Sequence, residues 1–474
     1  MRRGALEFSG SQCAAAHSGS QKGVIMPTLM VSISGIRGIV GDGLDPQTLV
    51  NFTSAYAKWI GKGTVVIGRD SRITGAMVSA VTAGTLNALG IKVVDIGIVP
   101  TPTVQFAVKT LGAQGGIAIS ASHNPNEWNA LKLLNTTGQF MSPEEHNEMK
   151  KFLGTAPDWK SWDAIGNTSF NADMLRNHKQ KALELPYIDK DLIRSKKFKV
   201  VADCVNGAGV YVIPELLRDL GCEVIEMNCE KTGIFPRLPE PIPENLVETM
   251  KKVKETGADL GVVVDPDADR LVLITDEGEP FSEENTISHV VKWVLSKTPG
   301  NVVVNLSTTR TVDDVASEAG CKVFRSPVGE ANVVQKMKET GAIVGGEGSG
   351  GVIYPALHYG RDSLVGTIIT LQHLAEYGGK LSDLKKALPQ YSIAKKKIDI
   401  SGKSPDEVLA AMVEKYKNEK VNTDDGLRID FPDHWVHFRK SNTEPIIRVI
   451  AETTSYDAAV ELCEKYFAEI TSLL

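Results

Sequence analysis

The 474-residue chain carries 52 Lys and Arg against 58 Asp and Glu, a formal net charge of −6, with 42% apolar and 23% charged residues. That balance excludes a polybasic nucleic-acid binder, and no run of roughly 18 apolar residues offers a membrane span, so neither nucleic acid nor membrane is expected as a partner. An anionic ligand must then be met by local cations, and the length leaves room for about three or four domains.

Residues 1–25 are rich in Ser, Gly and Ala and lack the apolar core of a secretory signal. They are expected to be a disordered or non-native extension ahead of Met26. The six cysteines (Cys13, Cys204, Cys222, Cys229, Cys321 and Cys463) show neither CxxC pairs nor zinc-type spacing, which fits a reducing cytoplasm.

From there one plan is used three times. Gly63 to Asp70, Phe198 to Asp203 and Asn301 to Asn305 each read as a β run, followed by an amphipathic helix closed by Gly90, Gly221 or Gly320 and then a second β run. Each unit is followed by a further apolar strand that ends in a polar loop. The first such strand delivers Ser122, the second delivers Asp265, and Ala342 to Val344 delivers Gly346-Glu-Gly-Ser-Gly-Gly351. Ligands in α/β sheets gather beyond strand C-terminal ends, so the three loops are expected to share one cleft.

The remainder has a different pattern. Pro405 to Tyr416 and Tyr456 to Phe467 read as helices, Gly426 to Phe431 with Trp435 to Phe438 as a hairpin around Pro432-Asp433, and Ile446 to Ile450 as a strand. The expected fold class is α/β with four domains: three related α/β units with mixed sheets and a C-terminal α+β domain, around a central cleft. Expected boundaries are 26–165, 172–277, 278–388 and 389–474, with the polar stretch 155–171 as the first linker.

Four loops carry chemistry. Gly116-Ile-Ala-Ile-Ser-Ala-Ser122-His123-Asn-Pro125 runs from a buried strand into a hydroxyl-rich turn, with Ser122 as the candidate reactive atom. Asp265-Pro-Asp267-Ala-Asp269-Arg270 sets carboxylates at i, i+2 and i+4, which face one way if the segment is extended; their mutual repulsion calls for a hard cation, Mg²⁺. Glu347 and Ser349 of the glycine-rich loop can hydrogen-bond vicinal sugar hydroxyls. Arg439-Lys-Ser441-Asn442-Thr443-Glu-Pro445 offers a guanidinium, hydroxyls and amides to one phosphate. Taken singly, each also reads as an ordinary turn; Arg270 in particular either meets a phosphoryl oxygen or simply pairs with an aspartate.

In this order and combination the loops resemble those of the α-D-phosphohexomutases, over essentially all of Met26 to Leu474. The resemblance implies Ser122 as the phosphorylated residue, Lys132 and the Arg37 segment beside the transferred phosphate, and catalytic roles for His123 and Arg270. It also implies Ser122, Asp265, Asp267 and Asp269 as Mg²⁺ ligands, and Glu347, Ser349, Arg439, Ser441, Asn442 and Thr443 as substrate-binding residues. A hexose phosphate is the implied substrate, with a hexose 1,6-bisphosphate as activator and intermediate. The form Gly-Glu-Gly-Ser-Gly-Gly is most like archaeal-type phosphoglucosamine mutases, with phosphomannomutase and phosphoglucomutase as alternatives. Two departures stand out: Gly351 where many relatives have histidine, and Pro327 where some have lysine. His358, Tyr359 and Arg361 lie downstream as substitutes, unless His358 only packs. A phosphatase using the same serine and metal, or a sugar-phosphate-binding regulator without turnover, are the rivals of other classes.

Overall fold

The computed structural model describes residues 28–400, 404–440 and 446–473. The expectation for residues 1–25 therefore falls outside the described residues.

The three predicted units repeat one strand order. In the first, Lys92–Ile98 lies beside Thr64–Arg69, then Gly115–Ile119, then Trp128–Leu134. In the second the order is Glu223–Met227, Lys199–Asp203, Leu260–Val264, Leu271–Thr275, and in the third Val323–Ser326, Val302–Asn305, Val344–Glu347, Gly351–Ile353. Within each set the first three strands are parallel and the fourth is antiparallel. The parallel third strand is buried along its whole length in every unit, which is why it reads as a run of small and apolar residues, broken only by Glu347 at the end of the third. Three loops thus leave equivalent positions, the C-terminal ends of buried strands.

The first sheet is extended on both sides. Gly35–Val40 pairs with Trp128–Leu134, setting Arg37 opposite Ala130. At the other edge Thr168–Phe170 pairs with Lys92–Ile98, so the stretch read as a linker from its polarity contributes an edge strand.

The last domain is antiparallel, in the order Ser392–Asp399, Ile446–Thr453, Trp435–Lys440, Leu427–Asp430, Lys420–Asn422. Apolar residues of Pro405–Lys415 and Tyr456–Leu473, among them Val408, Met412, Cys463 and Tyr466, close its core over Leu427, Phe438 and Val449.

The cores differ in how they are joined. The second and third units share one apolar cluster in which Val262 and Leu271 meet Ile287, Val304, Val352 and Leu364. The C-terminal domain keeps its own cluster and reaches the third unit through polar contacts: His437 with Ser307 at 2.9 Å, Arg310 N to Glu452 at 2.9 Å, and Val328 N to Asp425 at 2.9 Å.

Candidate active site

Ser122 is held in a conformation its own chemistry resists. Its φ is +49°, in the left-handed region that costs a non-glycine residue roughly 1–2 kcal/mol, and Ser120 Oγ accepts its backbone N–H at 2.9 Å. Arg72 fixes the loop around it. All five donors of this buried guanidinium are used: Nε on Asp70 at 3.0 Å, and Nη1 and Nη2 on the carbonyls of Ser122, Asn124, Pro125 and Trp128 at 2.5 to 3.0 Å. Sequence reasoning missed Asp70, at the end of the first predicted strand, and Arg72 just beyond it, which look there like any charged turn.

The hydroxyl so presented meets the aspartate loop. Ser122 Oγ donates to Asp265 Oδ2 at 3.0 Å. The three carboxylates do converge, though not through an extended segment: Asp265 to Asp269 forms a tight turn in which Ala268 N bonds Asp265 O at 2.9 Å and Ala268 has φ +50°. A turn brings i, i+2 and i+4 together at one point, where a strand would spread them along a line.

Each aspartate has a partner from elsewhere in the fold. Lys132 Nζ lies 2.6 Å from Asp267 Oδ2 and 3.8 Å from Asp269 Oδ2, and the Thr101 hydroxyl also donates to Asp267. Arg361 Nη2 reaches Asp269 Oδ2 at 2.5 Å. Burial, reinforced by Asp269 and Asp267, pushes Asp265 well above the usual carboxylate range. For Asp267 the upward push of burial is overcome by Lys132 and Thr101, which hold it below that range. Thr101, in the helix Thr101–Thr110, is a second residue the sequence did not single out.

All three aspartates are fully buried, and Asp267 Oδ1 and Asp269 Oδ1 have no hydrogen-bond partner. Ligand oxygens of the triplet lie within 4.8 Å of one another. Orphaned carboxylate oxygens at that spacing, with no nitrogen or sulfur donor among them, fit a hard divalent cation.

The other predicted residues surround this centre. Arg37 Nη1 donates to Asn124 Oδ1 at 2.7 Å, beside Ser122. His123 Nδ1 is 3.4 Å from Ser122 Oγ, and desolvation together with Arg270 and Arg37 holds its imidazole far below the ordinary value, so it is uncharged at neutral pH. Arg270 Nε stands 3.9 Å from Asp269 Oδ1 with no hydrogen-bond partner of its own.

On the third unit, Glu347 is buried at the end of its strand. Its Oε1 accepts from Asn305 Nδ2 and Gly329 N at 2.9 Å each, and its Oε2 from Arg361 at 2.6 Å. Against the upward push of burial, Arg361 and these donors keep it ionised. Ser349 sits half-buried in the turn that follows. Arg439 Nε pairs with Asp425 Oδ2 at 3.0 Å, and the same oxygen takes Val328 N, next to the Gly329 amide that bonds Glu347. Ser441, Asn442 and Thr443 lie outside the described residues.

His358 is not at this centre. Its Nε2 and that of His178 both contact Asp362 Oδ2, at 3.0 and 2.9 Å, and Thr103 Oγ1 bonds His178 Nδ1 at 2.9 Å. These hydrogen bonds form a buried clasp between the first unit, its following helix and the third unit, and leave His358 Nδ1 without a partner among the described residues.

Three repeated α/β units and an antiparallel fourth domain, arranged around a serine set against three carboxylates, define a phosphoryl-transfer enzyme of four-domain architecture. The chain belongs to the phosphoglucomutase/phosphomannomutase family: its α/β/α domains I, II and III match residues 29–156, 178–278 and 284–391, and its C-terminal domain matches 396–469. It is accordingly a phosphohexomutase, an isomerase. The chain is 36% identical to a Methanopyrus kandleri protein named "Probable phosphoglucosamine mutase", over 91% of this chain and 96% of that one. It is also 36% identical to a Thermococcus kodakarensis phosphoglucomutase/phosphomannomutase, with the same coverage. A phosphoglucomutase/phosphomannomutase family protein from Burkholderia thailandensis superposes with a TM-score of 0.80 at 28% identity, over 93% of this chain and 97% of that one. Among the described residues no helix is long and apolar enough to cross a membrane.

Proposed function

We propose that this mutase interconverts glucosamine 1-phosphate and glucosamine 6-phosphate, with Ser122 as the phosphoryl carrier. The observation that carries the reading is the Ser122 hydroxyl 3.0 Å from Asp265, with Lys132 on the same triplet. Asp265, Asp267 and Asp269, with the phosphorylated serine, would hold Mg²⁺, which supplies positive charge against the phosphoryl oxygens.

Phosphoserine brings a charge of about −1.5 to −2 into the buried site, which Lys132 and Arg37 offset. The P–O bond to Ser122 breaks as the free hydroxyl of the hexose monophosphate bonds to phosphorus, and the proton that hydroxyl loses is balanced by the one the departing Ser122 oxygen gains, yielding a hexose 1,6-bisphosphate and a free serine. That intermediate turns in the cleft and returns its other phosphate to Ser122. Arg439 holds whichever phosphate is not being transferred, which its charge and fork geometry permit without regard to the carbon bearing it. Glu347 and Ser349 meet the sugar hydroxyls. Catalysis on these terms is positioning and charge stabilisation.

The choice of glucosamine rests on the glycine-rich loop and on the name carried by the Methanopyrus kandleri relative. Turnover on the 1-phosphates of glucosamine, glucose and mannose, each with a trace of bisphosphate, tests it. The highest kcat/KM is expected for glucosamine 1-phosphate; a tenfold preference for either other sugar would overturn the choice. Release of inorganic phosphate faster than isomer formation would point to a phosphatase instead.

A further inference from the structure

Arg361 is the cation that joins the aspartate turn to the glycine-rich loop. Arg361 is buried to 11% side-chain exposure and touches three carboxylates from separate elements: Asp269 Oδ2 at 2.5 Å, Glu347 Oε2 at 2.6 Å and Glu330 Oε2 at 3.2 Å. Glu330 is in turn held by Gln105 of the first unit, at 2.7 Å. The arginine stem runs across Gly351, where a Cβ would lie 2.3 Å from its Cδ and 3.0 Å from its Cγ. Gly351 is absent from the positive-φ residues, so the glycine there provides space for the arginine and not backbone freedom. Burial would lower the guanidinium pKa, but Asp269, Glu347 and Glu330 raise it well above its ordinary value, so Arg361 stays charged and takes no part in proton transfer.

We propose that Arg361 is a positioning residue, seated in the space left by Gly351, that orients Glu347 toward the sugar while opposing cation binding at Asp269. The inference rests on the metal-loop reading of Asp265, Asp267 and Asp269. Its two actions have opposite signs. One guanidinium gives Glu347 a fixed carboxylate plane for the sugar hydroxyls, and the same positive charge weakens the field that draws a divalent ion to Asp269.

Mn²⁺ binding measured by electron paramagnetic resonance without sugar phosphate, together with KM and kcat for glucosamine 1-phosphate, separates them. Arg361→Ala is expected to tighten Mn²⁺ about fivefold or more while raising KM about tenfold, with a smaller loss in kcat. General damage to the fold weakens both. Arg361→Lys keeps the charge but not the fork, and Gly351→Ala displaces the stem but leaves the charge; both should bind Mn²⁺ like the wild type and still show the raised KM. Arg361→Ala with unchanged or weaker Mn²⁺ binding, or Gly351→Ala with unchanged KM, would overturn the inference alone. A wild type that binds no Mn²⁺ would overturn the metal-loop reading and this inference with it.

Discussion

The fused second and third units and the C-terminal domain hold their functional groups in opposite ways. Asp265, Asp267 and Asp269 sit in the turn between two strands whose apolar core also takes in the strand that ends at Glu347; all four carboxylates are buried, and Arg361 ties Asp269 to Glu347. Arg439 stands on a domain with a separate core, joined to the third unit by hydrogen bonds, and among the described residues its side chain pairs with Asp425 alone. A polar interface of that kind admits relative motion far more readily than a shared core. On the proposed mechanism the difference would match two tasks: chemistry at one phosphorus needs fixed charges, whereas an anchor receiving the 1-phosphate and the 6-phosphate in turn would need compliance.

If the division holds, losses should be catastrophic at the rigid centre and graded at the anchor. Ser122→Ala is expected to reduce isomerisation to background, in a coupled assay for the 6-phosphate product; retained turnover would place the carrier elsewhere. Chelation with EDTA, or Asp267→Asn, should cost about a hundredfold to a thousandfold in kcat, with only the chelated enzyme restored by Mg²⁺. Arg72→Ala removes one partner of a fully buried ion pair and frees the carbonyls of the Ser122 loop, so thermal unfolding should report a loss of about 3–5 kcal/mol. At the anchor, Arg439→Ala should raise KM about tenfold for both 1- and 6-phosphates and change kcat little; an effect on one isomer only would contradict a shared anchor.

The smallest expected effect concerns pH. Burial pushes Glu284 up to about 8 from its ordinary 4.5, in spite of Lys395. Between those values the folded protein keeps a proton that the unfolded chain has lost, so this group's contribution to stability falls as pH rises through the window. Glu284→Gln does not titrate, so thermal melts from about pH 5 to about pH 8 should show the wild type losing a few degrees relative to the variant.

Much of this was legible in the chain. The repeated units show as β-branched runs and glycine stops, because parallel strands covered on both faces tolerate little else. Ser122 and the aspartate triplet were visible because each leaves a buried strand directly. What escaped were contacts set by tertiary approach. Arg72 grips carbonyls about fifty residues away in sequence, and no local pattern marks it. Thr101 reads as a helix start and nothing more. The glycine at position 351 read as a missing imidazole; in the fold that space holds the Arg361 stem.

On the proposed mechanism Ser122 alternately gives and receives the phosphoryl group. Intact-mass and peptide mass spectrometry after incubation with glucosamine 1,6-bisphosphate tests it most directly. One phosphate on Ser122, discharged when excess glucosamine 1-phosphate is added and matched by newly formed bisphosphate, is the predicted result. A fully active enzyme carrying no phosphate on Ser122 at any stage of turnover would contradict it.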